Sequence, residues 1–244
     1  MSDPQTIILG GGRAVLYRGD AEVILPAIRP PGPVAVVTDP PYGIRSDEAQ
    51  QRRAGKQGGQ AVAPSGDYGT TQWDRERPPE SVFKALLSLS REVVIFGGEH
   101  FALPLSRGWI VWDKDNGDNF YADCELAWTS LDRPIRKIKW RWQGMIQEEM
   151  GEGKERRFHP TQKPVGVMAW VLGEYTQPGA TILDPYMGSG STGVACMRAG
   201  RRFVGIEREG RYFDTACARI QAAIDPAVRV CPVCGHEFPL GAKP

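Results

Sequence analysis

Residues 181–207 constrain this chain more than any other stretch. The apolar run Thr181-Ile182-Leu183 ends in Asp184 and passes into Pro185-Tyr186-Met187-Gly188-Ser189-Gly190-Ser191-Thr192-Gly193, and a second apolar run, Phe203 to Ile206, ends in Glu207. Gly188, Gly190 and Gly193 satisfy G-x-G-x-x-G, so the order strand, glycine loop, helix, strand reads as a nucleotide-binding βαβ unit. Strands joined through a helix crossover lie parallel, and a parallel sheet needs helices over its faces.

The rest of the chain keeps that rhythm. Short apolar runs at 14–18, 34–38, 92–96, 109–112, 125–129, 181–183 and 203–206 read as strands. Helical patterns fall at 81–90, at 164–174 with Val165, Met168, Val171 and Leu172 on one face, and at 210–224 with Phe213, Cys217, Ile220 and Ile224 on one face. Pro164 suits a first helical turn, and Pro178-Gly179 and Gly200 suit helix exits. The expected fold is α/β: one doubly wound, mainly parallel, Rossmann-like sheet over residues 1–225, with 226–244 as a short tail.

Composition excludes other classes. The 244 residues, 41% hydrophobic and 24% charged, suit one soluble globular domain rather than a small stapled scaffold. The start Met-Ser-Asp-Pro-Gln carries no basic region followed by an apolar run, and no stretch nears the roughly 20 apolar residues of a membrane helix, so a cytoplasmic protein is expected. Cys124, Cys196 and Cys217 stand singly in apolar surroundings, which predicts reduced core thiols. A net charge of +1 makes any nucleic-acid face a local patch.

Two segments break the alternation. Residues 45–72, polar and rich in Gly, Gln and Arg, read as a mobile loop after a strand end. Residues 131–158 place Arg133, Arg136, Lys137, Lys139 and Arg141 among Ile138, Trp140 and Trp142, with the basic side chains largely on one face of a strand; a plain solvated face is the alternative.

Asp39-Pro40-Pro41-Tyr42-Gly43 follows the run 34–38. Two prolines remove amide donors, so the loop offers the Asp39 carboxylate and main-chain carbonyls as acceptors beside an aromatic ring. Such a site suits a planar base bearing an amino group, whose N–H groups donate to Asp39 and the Pro40 carbonyl while Tyr42 stacks on the ring. A proline turn closing a strand is the structural alternative. The glycine loop alone fits S-adenosylmethionine or a dinucleotide, leaving a nicotinamide- or flavin-linked oxidoreductase as runner-up. Asp184, a carboxylate placed for a ligand ammonium, favours S-adenosylmethionine.

Together with Gly19-Asp20, Phe96-Gly97-Gly98, Trp112-Asp113-Lys114, Glu125-Leu126-Ala127-Trp128-Thr129 and His159-Pro160-Thr161-Gln162-Lys163-Pro164, these motifs resemble the amino-group DNA methyltransferases of the permuted beta order, phage-encoded members in particular. The resemblance covers nearly all of residues 13–224. It implies the methyltransferase variant of the fold with circularly permuted motif order, in which the catalytic loop precedes the cofactor loop. It implies transfer of a methyl group from S-adenosylmethionine to N6 of adenine in DNA, with N4 of cytosine as the alternative and a DNA-binding protein that has lost turnover as a more distant one.

By that resemblance Asp39, Pro40, Pro41 and Tyr42 form the base site. Asp20 and Ala21 meet the cofactor's adenine, Asp184 its ammonium and Glu207 its ribose. Pro185, Tyr186, Gly188, Ser189, Gly190, Ser191 and Thr192 cradle it, and His159, Thr161 and Lys163 border its methionine end. The target base must leave the duplex, which makes Arg136, Lys137, Lys139, Trp140 and Arg141 the expected contacts to double-stranded DNA. The absence of Pro-Cys-Gln argues against carbon-5 cytosine methylation. A homodimer and a partner restriction endonuclease also fit the resemblance. Cys231-Pro232-Val233-Cys234-Gly235-His236 looks like a zinc knuckle with at most three ligands, and a metal-free tail is expected.

Overall fold

The structure, a computed structural model, describes residues 4–44, 74–117, 122–143, 146–151, 154–158, 161–225, 228–230 and 237–239. Nine strands form one sheet: β1 (Gln5–Leu9), β2 (Ala14–Arg18), β3 (Val34–Thr38), β4 (Glu92–Phe96), β5 (Trp109–Asp113), β6 (Cys124–Thr129), β7 (Arg136–Lys139), β10 (Thr181–Asp184) and β11 (Arg202–Glu207). Their spatial order is β1-β2-β11-β10-β3-β4-β6-β5-β7. Two small pairs stand apart, β8 (Trp142–Gln143) with β9 (Ile146–Gln147) and β12 (Val228–Val230) with β13 (Glu237–Pro239). The helices are α1 (Ala21–Ile24), α2 (Glu80–Leu89), α3 (Val165–Tyr175), α4 (Ser191–Arg198) and α5 (Gly210–Ile224).

The central strands β2, β11, β10, β3 and β4 run parallel. They are apolar because both faces are covered. Ala35, Val37, Val94, Phe96 and Ile182 point into one core with α3, α4 and α5, while Val36, Val93, Ile95 and Leu183 point into the other with α1 and α2. The doubly wound, mainly parallel sheet is therefore as expected. Beyond β4 the pattern changes: β6 pairs antiparallel with both β4 and β5, and β7 runs parallel to β5.

Helix bounds differ slightly from expectation. Pro164 lies one residue before α3, with φ −62 and ψ 138, so it sets the entry of the chain rather than filling the first turn. The thiol expectation holds for Cys196 and Cys217, which are buried and free; Cys124 is a correction, since it is exposed at the start of β6, where the apolar run has not yet turned inward. The expected loop 45–72 and the knuckle at 231–236 lie outside the described residues. No helix among the described residues is long and apolar enough to cross a membrane.

Candidate active site

β10 and β3 are adjacent and parallel, with Leu183 opposite Val36. From β10 the chain runs through α4 on one face to β11; β3 precedes α2, which covers the other face and leads to β4. Strand order reverses between them, and this divergence opens a crevice beyond the carboxyl ends of the two strands. A cavity of about 400 Å³ occupies it, lined by both loops.

The glycine loop is built by packing. Gly190 caps α4 with φ 84, and a Cβ there would meet the Cβ of Ala216 on α5 at 2.9 Å. A larger residue is thus barred by both conformation and space. The loop is closed by Glu207, whose two oxygens accept from the backbone N–H of Gly188 (2.9 Å) and of Glu209 (2.7 Å). Burial outweighs those bonds and pushes the Glu207 carboxyl up to about 7.

Asp184, 2% exposed, is pushed up to about 6 by burial, against hydrogen bonds from Thr192, Thr38 and the Tyr186 N–H. Thr38 Oγ1 donates to one oxygen at 2.8 Å and Thr192 Oγ1 to the other at 2.7 Å. Thr38 immediately precedes Asp39, so this bond ties the two loops together.

In the second loop Tyr42 donates its hydroxyl to Asp39 Oδ1 at 2.6 Å and stacks on His100 at 4.8 Å. Its ring rests on Gly97 (φ 64), where a Cβ would lie 2.2 Å from Tyr42 Cε1. Lys163 Nζ donates to Asp39 Oδ2 at 2.5 Å and lies 3.1 Å from Glu125 Oε2; Glu125 Oε1 accepts from Lys114 Nζ at 2.7 Å. Burial raises the Asp39 carboxyl, Lys163 opposes that rise, and Glu125 adds to it. Burial would raise Glu125 too, yet Lys163 and Lys114 win and bring it to about 2. Lys163 itself is held above the ordinary lysine value by Asp39 and Glu125 against its own burial.

Most of the expected residues converge on the cavity. Asp20, Ala21, Thr161, Lys163, Asp184, Pro185 and Tyr186 line it, as do Gly188, Ser189, Ser191, Thr192 and Glu207, and Asp39 and Pro41 line its other side. Asp20 also caps α1, its Oδ1 accepting from Glu22 N at 2.8 Å. Gly190 packs behind the loop, Pro40 is buried, and Tyr42 lies beside Asp39 rather than on the cavity wall. Lys163, on the cavity wall, turns its ammonium to the Asp39 carboxylate. His159 lies outside the described residues.

Along β7, Arg136, Lys137 and Lys139 are exposed, as is Arg141 just beyond it. Lys137 pairs with Asp113 at 3.2 Å and Lys139 with Asp115 at 2.8 Å, and Arg141 also pairs with Asp115. Trp140 turns inward, its ring occupying the space beside Gly166 of α3.

Sequence reading passed over several lining or supporting groups. Arg75, Glu76, Arg77 and Pro78 border the cavity, and Arg77 Nε donates to the Tyr42 carbonyl at 2.8 Å. Gln162 Oε1 accepts from Phe158 N and Ser189 Oγ, joining the 158–163 segment to the glycine loop. Arg219 of α5 donates to the Ser189 carbonyl at 2.7 Å. Gln162 and Glu125 stood inside recognised motifs without a role, whereas Arg219 belongs to a helix whose pattern spoke only of packing.

Residues 111–218 match the family model described as DNA methylase. Over that span the chain is similar to the family. The matched span runs from β5 through the glycine loop and Glu207 into α5. Type II methyltransferase M2.MboI of Moraxella bovis is 28% identical over 166 residues, covering 68% of this chain and 51% of that protein. Type II methyltransferase M2.DpnII of Streptococcus pneumoniae is 38% identical over 115 residues, covering 46% and 41%. The chain thus spans about half the length of the curated relatives it matches. Among solved structures, the PvuII DNA methyltransferase (cytosine-N4-specific) superposes with a TM-score of 0.53 at 14% identity, covering 89% of this chain and 90% of that one, a likeness of fold.

Proposed function

We propose that this chain binds S-adenosylmethionine in the crevice between β10 and β3 and methylates an exocyclic amino group in double-stranded DNA, N6 of adenine in preference to N4 of cytosine. The carrying observation is that the Asp39 loop and the glycine loop, far apart in sequence, border one cavity and are joined by the Thr38–Asp184 hydrogen bond. The donor set fits the cofactor. Asp20, Asp184 and Glu207 present acceptors along the wall, matching a ligand rich in amino, hydroxyl and ammonium donors, and the volume lies in the range of small-molecule sites.

When bound, S-adenosylmethionine supplies a methyl group on a positively charged sulfur. The chain's residues do the remainder. Glu207 accepts from ribose hydroxyls, Asp20 from the adenine amino group, and Asp184 faces the ammonium. Asp39 and the Pro40 carbonyl accept from the amino group of the flipped base, drawing its lone pair out of conjugation by fixed dipoles. By the resemblance, Asp at the position of Asp39 usually accompanies adenine and Ser usually accompanies N4 of cytosine, which supports adenine. Residues 1–225 form the catalytic unit and 226–244 an appended tail, with Arg136, Lys137, Lys139 and Arg141 facing DNA. The names of the two relatives, type II methyltransferases, support a type II modification enzyme, and a partner restriction endonuclease is what the resemblance implies.

The test is single-turnover transfer of labelled methyl from S-adenosylmethionine to duplex DNA, followed by sequencing that distinguishes modified bases in DNA from cells expressing the chain. N6-methyladenine at a defined sequence is the expected product. N4-methylcytosine would move the assignment to the alternative, and no modified base in either assay would refute it.

A further inference from the structure

Lys163 is the most enclosed cation at the site, with 6% of its side chain exposed against 21% for Asp39. An ammonium has three protons to place. Two go to Asp39 Oδ2 at 2.5 Å and Tyr42 Oη at 3.4 Å, and Glu125 Oε2 pairs with the ammonium at 3.1 Å. The lysine backbone sits between Gln162, whose amide bonds Phe158 and Arg156, and Pro164, so the ammonium is delivered from a fixed point at the entry of α3. Asp39 is therefore gripped at both oxygens, by Tyr42 on one and Lys163 on the other, while it still borders the cavity. We propose that Lys163, anchored on Glu125, is a positioning residue that holds the Asp39 carboxylate in orientation as an acceptor for the target amino group.

The charges around Asp39 show why a cation is needed there. Glu125 on β6 and Asp184 on β10 are carboxyls near it, and Glu99 and His100 lie on the far side of Tyr42. Lys114 is spent on the other oxygen of Glu125, and Arg77 on the Tyr42 carbonyl. Lys163 alone among these cations touches Asp39. Without it, two half-buried carboxyls would be left near each other with desolvation and repulsion both favouring protonation, and a protonated Asp39 would present a donor where an acceptor is required. Lys163 stays charged, as its raised pKa requires, and serves as neither base nor acid.

The inference rests on the methyltransfer reading above. Its test compares the native protein, Lys163→Met, Lys163→Arg and Lys163→Met with Glu125→Gln. In the apo protein, the carboxyl carbon of labelled aspartate, assigned through Asp39→Asn, is titrated by NMR. Lys163→Met is expected to raise the Asp39 midpoint by about one unit or more, and adding Glu125→Gln to bring it part-way back. In single-turnover assays Lys163→Met is expected to fall about 100-fold below the raised Asp39 midpoint and to regain about tenfold as pH rises through it and Asp39 ionises, with cofactor affinity within about threefold of native. Lys163→Arg should keep more activity than Lys163→Met, and the double variant should exceed Lys163→Met near neutral pH. An unmoved Asp39 midpoint, a loss that is flat with pH, or a cofactor affinity that falls as far as the rate would each overturn the role. Native protein that transfers no methyl refutes the methyltransfer reading and the role with it, whereas active native protein with an equally active Lys163→Met refutes the role alone.

Discussion

Asp39 and the two cavity carboxyls behave differently because their partners differ. Asp39→Ala removes the acceptor facing the target amino group but leaves the glycine loop, Glu207 and the Thr38–Asp184 bond untouched. Methyl transfer is expected to fall by about 100-fold or more with cofactor binding preserved, measured by single turnover beside a cofactor titration. Near-normal transfer would sink the mechanism. Asp184 and Glu207, at about 6 and about 7, sit above the ordinary carboxyl range through burial. A raised carboxyl contributes stability that is complete below its unfolded value and is lost as pH rises through the folded value, so this contribution to the apo protein declines from about pH 4 to about pH 7. A ligand whose donors meet the ionised forms runs the other way. S-adenosylmethionine should bind with proton release and tighten between about pH 5.5 and about pH 7.5, as calorimetry in buffers of different ionisation enthalpy would report. Binding that neither releases protons nor varies with pH would remove these carboxylates from the contact set.

At the scale of elements, Lys137 and Lys139 of β7 and Arg141 just beyond it are already paired. Lys137 rests on Asp113, and Lys139 and Arg141 share Asp115, so DNA phosphates must compete with carboxylates for the same side chains. Such solvent-screened pairs are weak, and a polyanion outcompetes them. Neutralising Lys137, Lys139 and Arg141 together should weaken DNA binding and flatten its salt dependence while leaving cofactor affinity nearly unchanged. Asp115→Asn should do the opposite, tightening DNA binding, because Asn tolerates the local φ of 48 and frees two cations. DNA affinity indifferent to both changes would return β7 to a solvated strand. The end of β4 makes a separate prediction. Gly97→Ala pushes a methyl group into the Tyr42 ring and strains a positive φ. Methyl transfer should drop about tenfold or more as Tyr42 and Asp39 shift, with S-adenosylmethionine affinity near native in the same titration. Unchanged transfer would show that the ring is free to move aside.

For the molecule as a whole, a ligand spanning the crevice joins β2, β10 and β11 through their terminal loops and stabilises the folded state by mass action. At 100 times its dissociation constant the gain is about 2.7 kcal/mol, a rise of roughly 5 to 10 °C in Tm for a chain of this length. S-adenosylmethionine should produce that shift in a thermal melt; a shift with NAD and none with S-adenosylmethionine would restore the oxidoreductase. Local pattern sufficed for the parallel strands, the covering helices α2 to α5, the glycine loop and the Asp39 turn. A strand buried on both faces must be a continuous apolar run, a helix must repeat its apolar positions every three or four residues, and the loops between them carry their chemistry in adjacent residues. The antiparallel pairing of β6 escaped that reading because Ala127 and Trp128 are buried on opposite faces, as in the parallel strands, and pairing direction is a matter of neighbours rather than of period. Lys163 shows the same limit at the site. Its motif placed it near the cofactor, and only the packing of α3 against the sheet set its ammonium 2.5 Å from Asp39 and 3.1 Å from Glu125, residues 124 and 38 positions away. A buried charge finds its partners across elements, so its role is decided when the elements pack and cannot be read from its flanking residues.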